Sequence, residues 1–433
     1  MKVEPKTLPG FMELNPEDQI AFNRIKKVIE ETYQNYGFVP LDTPIIEYSN
    51  VLLAKAGGET EKQIYRFLKG ENDLSLRFDL TVPLAKYVAM KQNELVFPFK
   101  RYQIGKVFRG ERPQKGRFRE FYQCDIDVIG KEDLSLRYDA EMPSIIIDIF
   151  KKLNFGKFKI KINNRKILNG FFEELKLQDI SADILRIIDK IEKIGLINFK
   201  EELKLINVQD FQIKKILEFI NITGTNEEII TKLRNLIIKN ETFKLGLEEL
   251  ENVIKSMKDM EINEEYFQID LTIARGLDYY TGTVYETILT DYPTIGSVCS
   301  GGRFDNLAEY YTDTKLPGVG ISIGLTRLFY KLKEAGILTD DIKSLTDVLI
   351  ISLVDDYKYV YKVADILRRK NRVNICYLEK GLKQQMKYAN RLNSKYTILI
   401  GEDELKNEEV TIKDMNDNKQ KKVKILNLDK YFN

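Results

Sequence analysis

Apolar positions recur along this chain with different periods, and each period marks off a region. After Asn15-Pro16, the residues Ile20, Ile25, Val28, Ile29 and Tyr33 fall on one side of a helical wheel. With Asn15 as N-cap and Pro16 in the first turn, they predict a helix that Gly37 ends. Alternation with period two predicts strands at 74–80, 102–108 and 121–128. Between 165 and 262 the spacing returns to i, i+3, i+4, as in Ile184, Ile187, Ile188 and Ile191, and again in Ile229, Leu233, Leu236 and Ile237. That stretch contains no proline, and it predicts a compact helical insertion. Strand patterns resume over 263–335, and a linker after Gly336 leads to a last region, 346–433. There, strands predicted at 348–354, 373–378 and 396–400 alternate with helices at 357–371 and 381–392. A hairpin of 410–413 and 423–425 around Asn416-Asp417-Asn418 follows, and the whole makes a small α/β domain.

Composition narrows the chemistry. The chain has 433 residues, room for two to four domains, and its 68 basic and 66 acidic residues nearly cancel. A wholesale polycation is excluded, yet 346–433 holds 18 basic and 13 acidic residues, so positive charge collects in the last region. The opening MKVEPKTLPGF has no apolar signal core, and no stretch reaches the length of a membrane span. We therefore expect a cytoplasmic protein without membrane contact. Cys124, Cys299 and Cys376 are scattered, which argues against a disulfide framework or a structural zinc site. There is no histidine. A histidine base, a Ser-His-Asp triad and histidine-ligated metals are excluded, so any chemistry must rest on carboxylates, guanidiniums, tyrosines, backbone donors or a substrate-borne metal.

The densest chemistry lies in FKRYQIGKVFRGERPQKGRFREFYQCDIDVIG, residues 99–130. Alternation puts Phe121, Gln123, Asp125 and Asp127 on one strand face, and Tyr122, Cys124, Ile126 and Val128 on the other. The connecting loop holds Arg109, Arg112, Lys115, Arg117 and Arg119 beside Glu111, a set suited to phosphate oxygens. A second polar strand face is predicted from Arg77, Asp79 and Thr81, and a third around 274–283. The glycines of GGRFD (301–305) and GVGISIG (318–324) suggest close backbone approach to a ligand. The helix after Gly324 could hold an anion at its first turn with Arg327.

Together these segments resemble histidyl-tRNA synthetases, a family of class II aminoacyl-tRNA synthetases. Residues 37–44 resemble that class's motif 1, 108–130 its motif 2, and 318–328 its motif 3. The peptide ARGLDYYTGTVYE (274–286) is more specific to the histidine family, as is ERPQKGRFREF followed by Gln123 and Asp127. The resemblance implies an α+β catalytic domain with a mixed, mainly antiparallel sheet, split into 1–164 and 263–335. It further implies a helical insertion at 165–262 and a C-terminal α/β anticodon-binding domain at 346–433. The implied activity is ATP-dependent ligation of L-histidine to histidine tRNA through a histidyl-adenylate. Mg²⁺ would come with ATP, no zinc would be bound, and the chain would be a homodimer.

Carried onto this sequence, the family pattern implies that Asp79, Thr81 and Gln123 hold the amino acid's α-amino group, with Leu80 also among the histidine-binding residues. Asp127 and Tyr280, with Tyr279 beside them, would meet its imidazole. Arg109 and Arg275 would bridge the carboxylate and the α-phosphate, which with Gln123 makes the implied catalytic set. Glu111 and Phe121 would hold adenine, Arg327 the γ-phosphate, and Arg112 and Gln114 the acceptor end of the tRNA. Phe304 departs from the tyrosine that relatives often carry there, and Tyr122 from a histidine found in some. The alternative is the synthetase-like regulatory subunit of ATP phosphoribosyltransferase. It usually lacks the anticodon domain and parts of motif 2 and of ARGLDYY, all of which this chain has.

Overall fold

The structure is a computed structural model describing residues 2–54, 58–113, 116–273, 280–338 and 344–432. The chain divides into two compact units, Met1–Met12 with Ile25–Ile337, and Glu13–Arg24 with Leu338–Asn433. Among the described residues, the first unit is built on an eight-stranded sheet. Its spatial order is Val39–Pro40, Phe99–Phe108, Glu120–Ile129, Gly318–Ile323, Ser297–Phe304, Thr283–Leu289, Phe158–Asn164, Phe267–Ile269. The two outermost pairs are parallel and all others antiparallel, so the mixed, mainly antiparallel sheet expected from the sequence is present.

The site is positioned by one long hairpin. Phe99–Phe108 and Glu120–Ile129 pair over their full length, from Phe99 opposite Ile129 to Phe108 opposite Glu120. One face sends Cys124, Ile126 and Val128 into the core, each fully buried. The helix Pro16–Asn35 contributes Ile25, Ile29 and Tyr33 to the buried set, and the Tyr33 hydroxyl donates to the Cys124 carbonyl at 2.9 Å. Asn15 caps that helix through its side chain, which accepts from the Asp18 amide at 2.9 Å. The opposite face of the hairpin sets Arg101 across from Asp127, Gln103 across from Asp125 and Gly105 across from Gln123. A slip of one residue would send these polar groups into the core, so burial of Ile126 and its neighbours fixes where the chemistry points.

One of these expectations needs correction here. The strand expected over 74–80 stops at Leu76, in a separate three-stranded sheet. Arg77 turns inward, donating from Nε to the Lys106 carbonyl at 2.8 Å and from Nη1 to the Thr43 carbonyl at 2.5 Å. A helix, Thr81–Lys91, follows; the Asp79 carboxylate accepts from the amides of Thr81 at 3.1 Å and Val82 at 2.9 Å. Asp-x-Thr-Val-Pro mimics period two over a few residues, but it is a helix start with a carboxylate cap and a proline in the first turn. Gly301 and Gly320 of the central strands, and Gly324 just after them, line the site cavity, and the strand glycines also allow close approach within the protein. A Cβ on Gly320 would lie 2.1 Å from Asp127 Oδ1, and one on Gly301 2.1 Å from the Gly320 carbonyl. These glycines make room for the site's own carboxylate and for cross-strand backbone.

Residues 165–262 are helical, from Arg165–Glu174 to Glu241–Asp259, and lie in the first unit. Ile184, Ile187 and Ile188 are buried as their spacing predicts. Asn226–Arg234 buries Ile229 and Leu233 behind a Thr225–Glu228 capping box, but it ends before Ile237, which is 92% exposed.

In the second unit, the strand order is Val373–Cys376, Val348–Ser352, Tyr396–Ile400, Glu409–Asp414, Gln420–Lys424, the first three parallel and the rest antiparallel. The helix Tyr357–Arg368 packs Val360, Val363, Ala364 and Leu367 on one face of this sheet. Leu382–Leu392 packs Ala389 on the other, against Leu349, Ile351 and Cys376. This is the expected α/β arrangement, covered on both faces where its strands are parallel.

Candidate active site

The polar face of the hairpin forms part of a cavity of about 430 Å³. Three buried carboxylates line it: Asp79, Asp125 and Asp127. Beneath them lies Arg101, fully buried, with Nη2 2.7 Å from Asp127 Oδ2 and donating to the Leu80 carbonyl at 3.1 Å. Leu80 is itself buried, and what it offers this cluster is its backbone oxygen. Gln123 donates to Ser322 Oγ at 2.8 Å. Its own carbonyl oxygen and Asp125 Oδ1 are buried without a hydrogen-bond partner.

Three buried carboxylates against the buried guanidiniums of Arg101 and Arg77 leave more acid than base away from water. Burial pushes Asp125 up to about 7 and Asp127 up to about 6, with Arg101 partly opposing the rise for both. Asp79 is raised as well, chiefly by burial, despite its two backbone amides. A cavity floor with surplus acceptors is built for a ligand that brings N–H donors, and a positively charged one most of all.

Further along the same strand the lining changes. Phe121 lies six residues from Asp127, on the order of 20 Å along the strand. The Arg109 guanidinium is sandwiched between aromatic rings, 4.4 Å from the Phe78 centroid and 5.2 Å from that of Phe121. Its Nε donates to the Phe78 carbonyl at 3.2 Å, which holds the fork in place. Glu111 sits 3.7 Å from Arg117, both lining the cavity and both partly exposed. Arg327, the third residue of the helix Leu325–Glu334, donates from Nη2 to the Ile295 carbonyl at 3.2 Å. That helix is tied to the hairpin where the Tyr122 amide donates to Thr326 Oγ1 at 2.8 Å. Guanidiniums and an aromatic ring on this side suit a planar base and phosphate oxygens, as the carboxylates on the other suit an ammonium or imidazole.

The structure thus brings together Asp79, Thr81, Arg109, Glu111, Phe121, Gln123, Asp127, Tyr280 and Arg327, all lining one cavity. Arg112 is exposed and does not line it. Arg275, Tyr279 and Gln114 lie outside the described residues. Phe304 is buried against Leu84 and Ile129, and its ring occupies the space a Cβ on Gly318 would need. Sequence reasoning assigned no role to Asp125, although it named that residue on the polar face, and it passed over Arg101 and Ser322. Hairpin register is the signal that could have found Arg101, since it shares parity with Asp127 across the turn.

Among the described residues, no group of three or more Cys, Asp or Glu is arranged to hold a metal ion, and no helix is long and apolar enough to cross a membrane. The histidyl-tRNA synthetase family profile matches residues 10–328, and an anticodon binding domain profile matches 347–433. The histidine–tRNA ligase of Clostridium tetani is 57% identical over 425 residues, spanning 98% of this chain and 97% of that protein. That of Finegoldia magna is 49% identical, spanning 96% of this chain and 97% of its own length. The crystal structure of histidyl-tRNA synthetase from Nostoc sp. PCC 7120 matches with a TM-score of 0.89 at 39% identity, covering 100% of this chain and 99% of that one. A Bacillus halodurans C protein described as an ATP phosphoribosyltransferase regulatory subunit/histidyl-tRNA synthetase shares the fold, with a TM-score of 0.76 at 19% identity over 92% of this chain and 99% of that one. Matched by both profiles and over 98% of its length by a relative 57% identical to it, this chain belongs to the histidyl-tRNA synthetase family.

Proposed function

We propose that this chain joins L-histidine to histidine tRNA in two steps within the hairpin cavity. First, a carboxylate oxygen of histidine attacks the α-phosphorus of ATP, the bond to the β-phosphate oxygen breaks, and pyrophosphate leaves. Then a hydroxyl of the tRNA's terminal ribose attacks the adenylate's carbonyl carbon, and AMP leaves. The attacking carboxylate is already an anion at neutral pH, so the first step needs positioning and positive charge rather than a base. A chain without histidine can therefore perform it.

The observation that carries this reading is the division of one cavity into a buried carboxylate floor and a guanidinium-lined wall. Asp79, Thr81 and Gln123 receive the α-ammonium, while Asp127 and Tyr280 receive the imidazole. Arg109, held by Phe78 and Phe121, faces the reacting carboxylate and α-phosphate together with Arg275. Glu111 and Phe121 take the adenine, Arg327 the terminal phosphate, and Mg²⁺ enters as part of the nucleotide substrate. Arg112 and Gln114 meet the acceptor end of the tRNA. The resemblance of 37–44 to motif 1 supports a homodimer, which sedimentation would check, and we read the protein as cytoplasmic.

Asp127→Asn tests the reading. Loss of a charge-assisted hydrogen bond costs about 1.5–3 kcal/mol, or roughly 10- to 150-fold in kcat/KM for histidine. An analogue lacking one ring N–H should lose far less, because it never made that bond. An unchanged histidine-to-analogue ratio in ATP–pyrophosphate exchange would leave Asp127 as the ion-pair partner of Arg101 and nothing more.

A further inference from the structure

The reaction proposed above leaves Asp125 without a task, yet the residue is built into the cavity. It is 3% exposed, lines the site, and stands midway between Gln123 and Asp127, one strand repeat from each. In the register it lies opposite Gln103 on one side and Ser322 on the other. The Ser322 hydroxyl accepts from the Gln123 amide at 2.8 Å and gives its own hydrogen to the Asp125 carboxyl. That link leaves one acceptor on each of the two side chains, Gln123 Oε1 and Asp125 Oδ1. Both are buried without a hydrogen-bond partner. Two acceptors tied to one hydroxyl fit a single ligand group with several N–H bonds, and an ammonium has three.

The charges around Asp125 fit the same ligand. On its own strand Asp127 opposes its ionisation, as does Asp79 from the stretch before the helix Thr81–Lys91. Arg101 across the hairpin and Arg77 favour it. The thiols of Cys124 and Cys299 and the phenol of Tyr33 also face it, but burial pushes all three up, and they stay neutral between pH 6 and 8. Burial outweighs the guanidiniums, so the empty site holds the Asp125 proton up to about pH 7. A cation set against the carboxylate would favour the charged form and drive that proton off.

We propose that Asp125 is a further histidine-binding residue, whose carboxylate joins the Gln123 carbonyl in accepting from the α-ammonium, so that histidine enters as the Asp125 proton leaves. The proton passes to solvent, the ligand keeps its own three, and a neutral carboxyl is exchanged for an ion pair. This rests on the charging reading above and adds to it a residue and a linked proton.

The test is calorimetric titration of the full chain with L-histidine and with imidazolepropionate, which has the same ring and carboxylate but no α-ammonium. Between pH 8 and pH 6 the unmutated chain should lose about 10-fold more affinity for histidine than Asp125→Asn does, the ratio set by a group titrating at about 7. Titration of Asp127 and of the ligand's imidazole is common to both proteins and cancels in that ratio. At pH 7, in buffers of different ionisation enthalpy, histidine should release about half a proton more from the unmutated chain than from the variant. At pH 8, Asp125→Asn should bind histidine about 10- to 150-fold more weakly and imidazolepropionate no more weakly. The unmutated chain gives a second reading whatever becomes of the variant, since imidazolepropionate should lack the half-proton release. Equal pH slopes in the two proteins, unchanged histidine affinity at pH 8, or an equal loss for imidazolepropionate would overturn the assignment and leave the charging reading standing. No histidine binding by the unmutated chain at either pH would overturn both.

Discussion

The two sheets of this protein handle polar chemistry in opposite ways. In the first unit, Asp79, Asp125, Asp127 and Arg101 lie within a few per cent of full burial. Their charges are strong because water is absent, and they are costly for the same reason. In the second unit, buried charged groups are missing among the described residues: the sheet interior is apolar from Val348 to Ile412 except for Thr397. A small ligand can be enclosed and read by buried groups at short range. A large polyanion cannot be enclosed, and it has to be met by a surface of rings and cations. On the proposed function, the difference in burial follows the size of the ligand, a small amino acid in one unit and a tRNA at the other.

The sharpest break should come at Arg101. Arg101→Met removes the guanidinium beside Asp127 and leaves a buried, uncompensated carboxylate. This should cost about 3–5 kcal/mol of stability at pH 8, read from the denaturant midpoint. At pH 5 the loss should shrink, since Asp127 is then held neutral. An equal loss at both pH values would mean that packing rather than charge is at stake.

Next comes Arg109, whose task lies in the reaction rather than the fold. Arg109→Ala should lower the kcat of ATP–pyrophosphate exchange by about 10²- to 10³-fold, the scale for one preorganised donor at developing charge. Its thermal midpoint should move little, because the guanidinium lies on rings at a cavity wall. A large loss of stability with intact kcat would reverse that assignment.

The smallest effect has the opposite sign. Burial raises the Asp125 carboxyl from 3.8 to about 7, so the folded state holds its proton where the unfolded chain has released it. The unfolded state then binds fewer protons, and stability falls as pH rises from about 4 to about 7. Asp125→Asn removes this dependence. The empty variant should match the unmutated protein near pH 4 and exceed it by about 1–3 kcal/mol at pH 8. A variant less stable at pH 8 would show that the ionised Asp125 is satisfied by a neighbour.

The same contrast explains what could be read from the sequence. The α/β alternation of 346–433 was legible because that sheet is apolar inside but for Thr397 and its strands and helices alternate in clear periods. The hairpin was legible for a related reason: Cys124, Ile126 and Val128 had to be buried, which fixed the face of Asp127 and Gln123. The stretch 77–81 was not, since a capping carboxylate two residues before a threonine imitates a strand. Ile237 misled in the same way, continuing an apolar spacing beyond the residue where its helix ends. Arg101 was hidden because an arginine in a strand reads as solvated, and only pairing across the hairpin reveals that it is buried. The glycines of 301–302 and 318–320 signalled close approach; Gly301 and Gly320 line the cavity, and the group that lies against Gly320 within the protein is the carboxylate of Asp127.

In the proposed function, the buried carboxylate floor selects histidine for activation at the guanidinium wall. ATP–pyrophosphate exchange by the full chain, measured with each of the twenty amino acids in turn, tests it most directly. Histidine-dependent exchange should run at least about 10³-fold above that with every other amino acid, the scale set by leaving buried acceptors unpaired. Exchange of comparable rate with a second amino acid, or none with histidine, would contradict it.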